Sequence, residues 1–196
     1  MHTHQVVGIL LAAGRGRRFD PSGERNKLIQ RLPDGLPVVT RAAQNLCQVL
    51  LRVIVVDHDP LVAEQVNLPG CQSLYFSEAD QGMGATLAFA ISAVENAYPD
   101  ANSVIVALGD MPFVQLDSIR QVVSAMRSGA QIARPAFQGQ GGHPVGFAQC
   151  HFAALMALRG DVGARQLLTE YPVTRFEVQD SGVVQDIDVL ADLKKI

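Results

Sequence analysis

Residues 6–11 and 103–108 are apolar at nearly every position, not at every second one: Val6, Val7, Gly8, Ile9, Leu10 and Leu11, then Ser103, Val104, Ile105, Val106, Ala107 and Leu108. A strand with one wet face alternates polar and apolar side chains, whereas a continuous run has to be covered on both sides. Two such strands commit the chain to a mainly parallel sheet flanked by helices. The intervening segments supply the helices. Residues 38–50 repeat apolar side chains at helical spacing, residues 52–56 read as a strand ending at Asp57, residues 60–66 as a short helix, and residues 73–76 as a short strand. A helix follows over residues 83–97, with Leu87, Ala90, Ile91 and Val94 on one face and Pro99 as its stop. Another covers residues 116–126, and Gly129 beyond it fits a left-handed cap. After Ile132 the pattern is less regular: strands near residues 145–148 and 174–178, helices near 152–158 and 163–169, and a last helix from Val189. Alternating strands and helices predict βαβ units in one α/β domain spanning residues 1–196.

The composition agrees. The 196 residues are 48% hydrophobic and 18% charged, enough for one sizeable core. A net charge of −3 creates no basic field, so nucleic acid is not the expected partner. No stretch has the length of a membrane span, and the short apolar run before Gly14 is too poorly flanked for a signal peptide. Cys47, Cys71 and Cys150 form no Cys-x-x-Cys pair, no zinc spacing and no disulfide framework, which predicts a cytoplasmic protein.

The first buried strand runs into Leu11, Ala12, Ala13, Gly14, Arg15, Gly16, Arg17, Arg18 and Phe19. A strand ending in a glycine turn exposes consecutive backbone N–H groups that can cradle phosphate oxygens. Arg18 and Lys27 add cations to neutralise phosphate charge. A dinucleotide-binding loop would need a third glycine where Phe19 stands and an acid about twenty residues on. A P-loop would need Gly-Lys-Ser/Thr opening a helix, whereas Lys27 follows Asn26 in a polar loop. Neither fits, and an ordinary tight turn with solvated arginines is the plain alternative.

The second buried strand delivers Asp110, behind Gly109 and before Met111-Pro112, to the strand end where open α/β sheets bind ligands. A carboxylate fixed there suits magnesium, which takes few protein ligands and leaves room for water and phosphate; a helix N-cap is the alternative. Asp186 and Asp188 follow a short apolar stretch, and alternation puts both on one side of an extended segment. Asp188 could equally cap a helix beginning at Val189. Gln81 and Gly82, with Thr86 beyond them, allow a base or ribose to approach the backbone. His143, extended before Pro144, and Arg165 could pair with an anion; the alternatives are a turn histidine and a helix-surface arginine, with Asp161 as an N-cap.

The run Leu11-Ala12-Ala13-Gly14-x-Gly16-x-Arg18-Phe19 with Asn26-Lys27, and the run Leu108-Gly109-Asp110-Met111-Pro112, resemble the signature segments of nucleotidyltransferases with a glycosyltransferase-A-like fold. Gly142-His143-Pro144-Val145 and Gly160-Asp161-Val162-Gly163-Ala164-Arg165 are similar to motifs of molybdenum cofactor cytidylyltransferases in the MobA-like family. That resemblance implies transfer of a CMP group from CTP to the phosphate of molybdenum-molybdopterin, with pyrophosphate released and a molybdoenzyme as client. It implies Asp110 and Asp188 as Mg2+ ligands and Arg18, Lys27 and Asp110 as catalytic residues. Leu11, Ala12, Ala13, Gly14, Gly16, Lys27, Gln81, Gly82 and Thr86 would bind nucleotide, and His143, Asp161 and Arg165 the acceptor. Gly16 stands where the family often has serine, Asn26 where it has proline, and Val189-Leu190-Ala191-Asp192-Leu193 replaces the usual Thr-Pro-Glu-Asp-Leu. The rivals are a GTP-dependent guanylyltransferase, a sugar-phosphate or isoprenoid-precursor nucleotidyltransferase, and a non-catalytic cofactor-binding accessory protein.

Overall fold

In the computed structural model, which describes residues 5–14, 16, 19–20 and 25–194, the strands join in one eight-stranded sheet. They are β1 (Gln5–Leu11), β2 (Val53–Asp57), β3 (Cys71–Tyr75), β4 (Ala101–Leu108), β5 (Ile132–Phe137), β6 (Gln140–Gly141), β7 (Val145–Ala148) and β8 (Thr174–Glu177). The order is β3-β2-β1-β4-β7-β5-β6, with β8 also on β5. β3, β2, β1 and β4 run parallel, and β8 is parallel to β5. β7 enters antiparallel between β4 and β5, so the parallel order breaks there.

The continuous apolar strands are covered on both faces, as their composition requires. Along β1, Val7 and Ile9 face one core cluster and Leu10 the other; along β2, Ile54 and Val56 oppose Val53 and Val55. All seven are fully buried. One face is covered by α1 (Val38–Cys47), α2 (Pro60–Gln65) and α4 (Leu116–Arg127). The other is covered by α3 (Met83–Ala97), α5 (Phe152–Met156) and α6 (Leu167–Glu170). α3 has the bounds that its periodicity and Pro99 predict. Gly129 takes the left-handed conformation at φ 94°.

Differences from the sequence reading lie mostly in the second half. β5 and β6 are strands that periodicity did not single out, because Pro135 and the glycines interrupt the pattern. The expected helix at residues 163–169 is a 3-10 turn (Gly163–Arg165) followed by α6, and the last helix is a 3-10 turn, Leu190–Lys194. α4 has no cap from its own Gln115; buried Asp180 accepts from the Gln115 N–H and the Ser118 hydroxyl instead. Cys47 and Cys71, unrelated by spacing, meet with sulfurs 2.8 Å apart. Among the described residues no helix is long and apolar enough to cross a membrane.

Candidate active site at the strand ends

β1 and β4 are in register from Val6↔Ser103 to Leu11↔Leu108, so the glycine loop and Asp110 leave the sheet side by side. The Gly109 N–H donates to the Leu11 carbonyl at 2.8 Å and locks the two exits together. A side chain at Gly109 would press on Leu11 and Ala12, which explains glycine before the aspartate. The C-terminal segment returns to the same place. The Ile187 N–H donates to the Asp110 carbonyl at 2.9 Å, and Ile187 is fully buried, so Asp186 and Asp188 flank a fixed anchor.

One carboxylate oxygen from each of Asp110, Asp186 and Asp188 lies within 4.8 Å of the others. Lys27 reaches into this cluster, its Nζ 2.6 Å from Asp110 Oδ2 and 3.5 Å from Asp188 Oδ1. Lys27 is only 8% exposed, so its charge is held by these carboxylates more than by water. Gly16, at φ 59°, packs against the Lys27 stem, and a side chain there would stand 3.3 Å from Cγ. Asp186 is pushed above the usual carboxylate range by burial of its carboxyl, then by the charges of Asp188 and Asp110. A set of hard oxygen donors converging on one point fits a divalent cation such as magnesium or manganese.

Two supporting residues were not legible from spacing. Asn26 side-chain Nδ2 donates to Asp59 at 2.8 Å, and its Oδ1 accepts from the Leu28 N–H, so it fixes the 3-10 turn Lys27–Ile29. Asp192, buried, accepts from the N–H groups of both Asp188 and Val189. Asp188 is therefore held from behind by a cap; its own carboxylate points to Lys27. Asn26→Ala should cut turnover on the order of 10-fold, as loss of an orienting partner commonly does. Steady-state kinetics should show the loss in kcat, and unchanged kcat would remove Asn26 from the site.

Lys27, Asp110 and Asp188 line a cavity of about 420 Å³, a size suited to a small molecule. Leu11, Ala13, Gly14, Gly16, Lys27, Asp110 and Asp188 line it together with Gly82, Thr86 and Asp161. Ala12 is buried beneath the loop, and Gln81 is exposed, bonded to Glu78. Asp161 lies against Gly82, whose φ of 96° and missing side chain make room for it. It thus borders the segment expected to hold the nucleoside. Arg165 is exposed and outside the cavity lining. Arg18 lies outside the described residues.

His143 is not in that lining either. Its backbone N–H donates to Val183, and its Nδ1 is sealed from solvent without a hydrogen-bond partner. Burial, then the charge of Arg134, pushes the imidazole from its usual 6.5 down to about 4, against the opposing pull of the Val106 carbonyl and Asp110. The unfolded chain therefore binds a proton that the folded chain refuses. Stability is full above 6.5 and falls as pH drops towards 4, with His143 contributing about 2–3 kcal/mol of the loss. His151, also pushed down by burial, adds to the trend. The check is the difference: denaturant titrations of His143→Asn should show a shallower acid slope than the unaltered protein, and equal slopes would contradict the assignment.

The strand-end cavity, the carboxylates and the topology define a nucleotidyltransferase of glycosyltransferase-A-like fold. Residues 8–175 match the MobA-like NTP transferase domain, and the chain belongs to that family. It is 25% identical over 205 residues to the purine catabolism protein PucB of Bacillus subtilis, covering 96% of this chain and 94% of PucB. Rv0371c of Mycobacterium tuberculosis superposes with a TM-score of 0.84 at 25% identity, covering 98% of this chain and 96% of that one. A manganese complex of Rv0371c superposes at 0.77 with 24% identity, over 96% and 95% of the two chains. A nucleotidyl transferase from Methanothermobacter shares the fold at 0.79 with 17% identity, over 97% and 94%.

Proposed function

We propose that this nucleotidyltransferase moves a CMP group from CTP to the terminal phosphate of molybdenum-molybdopterin and releases pyrophosphate. The observation that carries the reading is Lys27 held between Asp110 and Asp188 in the lining of a cavity of about 420 Å³. Gly82, Met83, Thr86 and Asp161 also line it, and in this reading they take the nucleoside while Lys27 and the glycine loop take the phosphates. The Gly142-His143-Pro144 and Gly160–Arg165 motifs support the molybdopterin acceptor by resemblance, and a molybdoenzyme is the expected client.

An oxygen of the acceptor phosphate attacks the α-phosphorus of CTP, the bond to the β-phosphate breaks, and pyrophosphate leaves with its electrons. No general base is required, because a phosphate acceptor is already ionised at neutral pH. The N–H groups of Gly14 and Gly16 orient the triphosphate, and the Lys27 ammonium offsets charge that moves onto the pyrophosphate. Asp110 and Asp188 hold Lys27 in place, and with Asp186 they would hold Mg2+. Bound there, magnesium would draw the phosphate oxygens together and neutralise part of their charge. Positioning and fixed charge of this kind supply most of the rate in such reactions. Arg18 would add a cation on the same loop.

Thermal shift with Mg2+ and each nucleoside triphosphate tests base choice, since a ligand bound only by the folded state stabilises it. CTP should raise Tm most. Pyrophosphate release should then require CTP and molybdopterin together. Release with GTP alone as donor would instead favour the guanylyltransferase, and release with a sugar phosphate or isoprenoid precursor would replace the acceptor.

A further inference from the structure

Cys47 is the last residue of α1 and Cys71 the first of β3. The polypeptide between them makes a strand and a helix, yet the two Sγ atoms end 2.8 Å apart. That is closer than ordinary contact between sulfurs, though longer than an S–S bond of about 2.05 Å. Both side chains are half-buried against the same apolar cluster. Backbone bonds fix both ends. β3 pairs Cys71 with Val53, the Cys71 N–H donates to Leu68, and the Gln48 and Leu50 N–H groups close the end of α1 on Gln44 and Leu46. The third cysteine, Cys150, is exposed and lies beyond β7.

We propose that Cys47 and Cys71 are a covalent modification site: a dithiol that a small-molecule disulfide of the glutathione type oxidises to an intramolecular disulfide. The Cys47 thiolate attacks one sulfur of oxidised glutathione, forming a mixed disulfide and releasing one glutathione. The Cys71 thiolate then attacks the Cys47 sulfur and releases the second. The two protons lost by the cysteines end on the two glutathiones, and two electrons pass from protein to oxidant, so the exchange balances. Cys47 is the sulfur that goes first, because the hydrogen bond from Cys71 lowers its thiol while the same bond, with burial, raises that of Cys71. A partner already in contact resolves the mixed disulfide faster than a second glutathione can arrive.

The crosslink would tie the C-terminal end of α1 to the edge strand. It sits at the N-terminal end of the parallel strands, opposite the strand tips that carry Asp110, so the nucleotide cavity stays open.

The test uses the full chain with Cys150→Ser, treated with oxidised glutathione. Intact mass should fall by two hydrogens with no glutathione adduct, and peptide mapping should join Cys47 to Cys71. Tm should rise on the order of 5–10 °C and return with dithiothreitol, as closing a loop of this length predicts. Cys71→Ser on the same background should instead retain glutathione on Cys47 and gain no heat stability. Two thiols remaining free after treatment, a lasting glutathione adduct on the intact pair, or an intermolecular dimer would each overturn the proposal.

Discussion

Asp110→Asn should lower kcat on the order of 10³-fold, the scale of losing a fixed group that meets charge in the transition state. The substitution keeps the size of the side chain and removes its charge. It leaves the nearly buried Lys27 ammonium facing Asp188 at 3.5 Å without its closer carboxylate partner. Stranding a buried charge costs up to 3–5 kcal/mol, and because Asp110 keeps 21% of its side-chain surface, a loss of about 2 kcal/mol is expected here. Those two effects separate in a double variant. Asp110→Asn with Lys27→Met should regain most of the lost Tm while staying inactive, since the stranded charge is gone but the carboxylate is not restored. Turnover by Asp110→Asn within a few-fold of the unaltered protein would end its catalytic assignment.

Lys27→Met should give the second large effect, on the order of 10²-fold in kcat with a smaller change in nucleotide affinity. It also carries a prediction of opposite sign. The ammonium occupies the space among the carboxylates that a divalent cation would share, so removing it takes one positive charge away from Asp110 and Asp188. Manganese should then bind more tightly to Lys27→Met than to the unaltered protein, even as turnover falls. Calorimetry with manganese measures the first and initial rates the second. Equal manganese affinity would mean that the lysine and the cation do not compete for those oxygens.

The sequence disclosed the parallel half of the sheet because its strands must be buried on both faces, and continuous apolar runs announce that directly. It disclosed Gly14, Gly16, Lys27, Asp110 and Asp188 as candidates because each sits at a strand exit or in a motif. What it could not disclose was who holds them. Asn26 bonds to Asp59 and Asp192 caps Asp188 through contacts that depend on how loops fold back, and a polar residue in a loop looks the same with or without such a partner. Asp161 illustrates the reverse difficulty: its motif was legible, but its position against Gly82 is set by packing of the α5–α6 connection on the start of α3. β5 and β6 were obscured by Pro135 and the glycines around them, which interrupt the apolar pattern of a strand. The meeting of Cys47 with Cys71 is a product of tertiary registration alone.

The Ile187–Asp110 backbone bond has a consequence for biogenesis. The carboxylates that it brings together are translated far apart, with Asp188 leaving the ribosome roughly eighty residues after Asp110, when the earlier strands can already have folded. A nascent polypeptide can therefore carry the strand end with Asp110 before residues 186–188 exist to complete the carboxylate cluster.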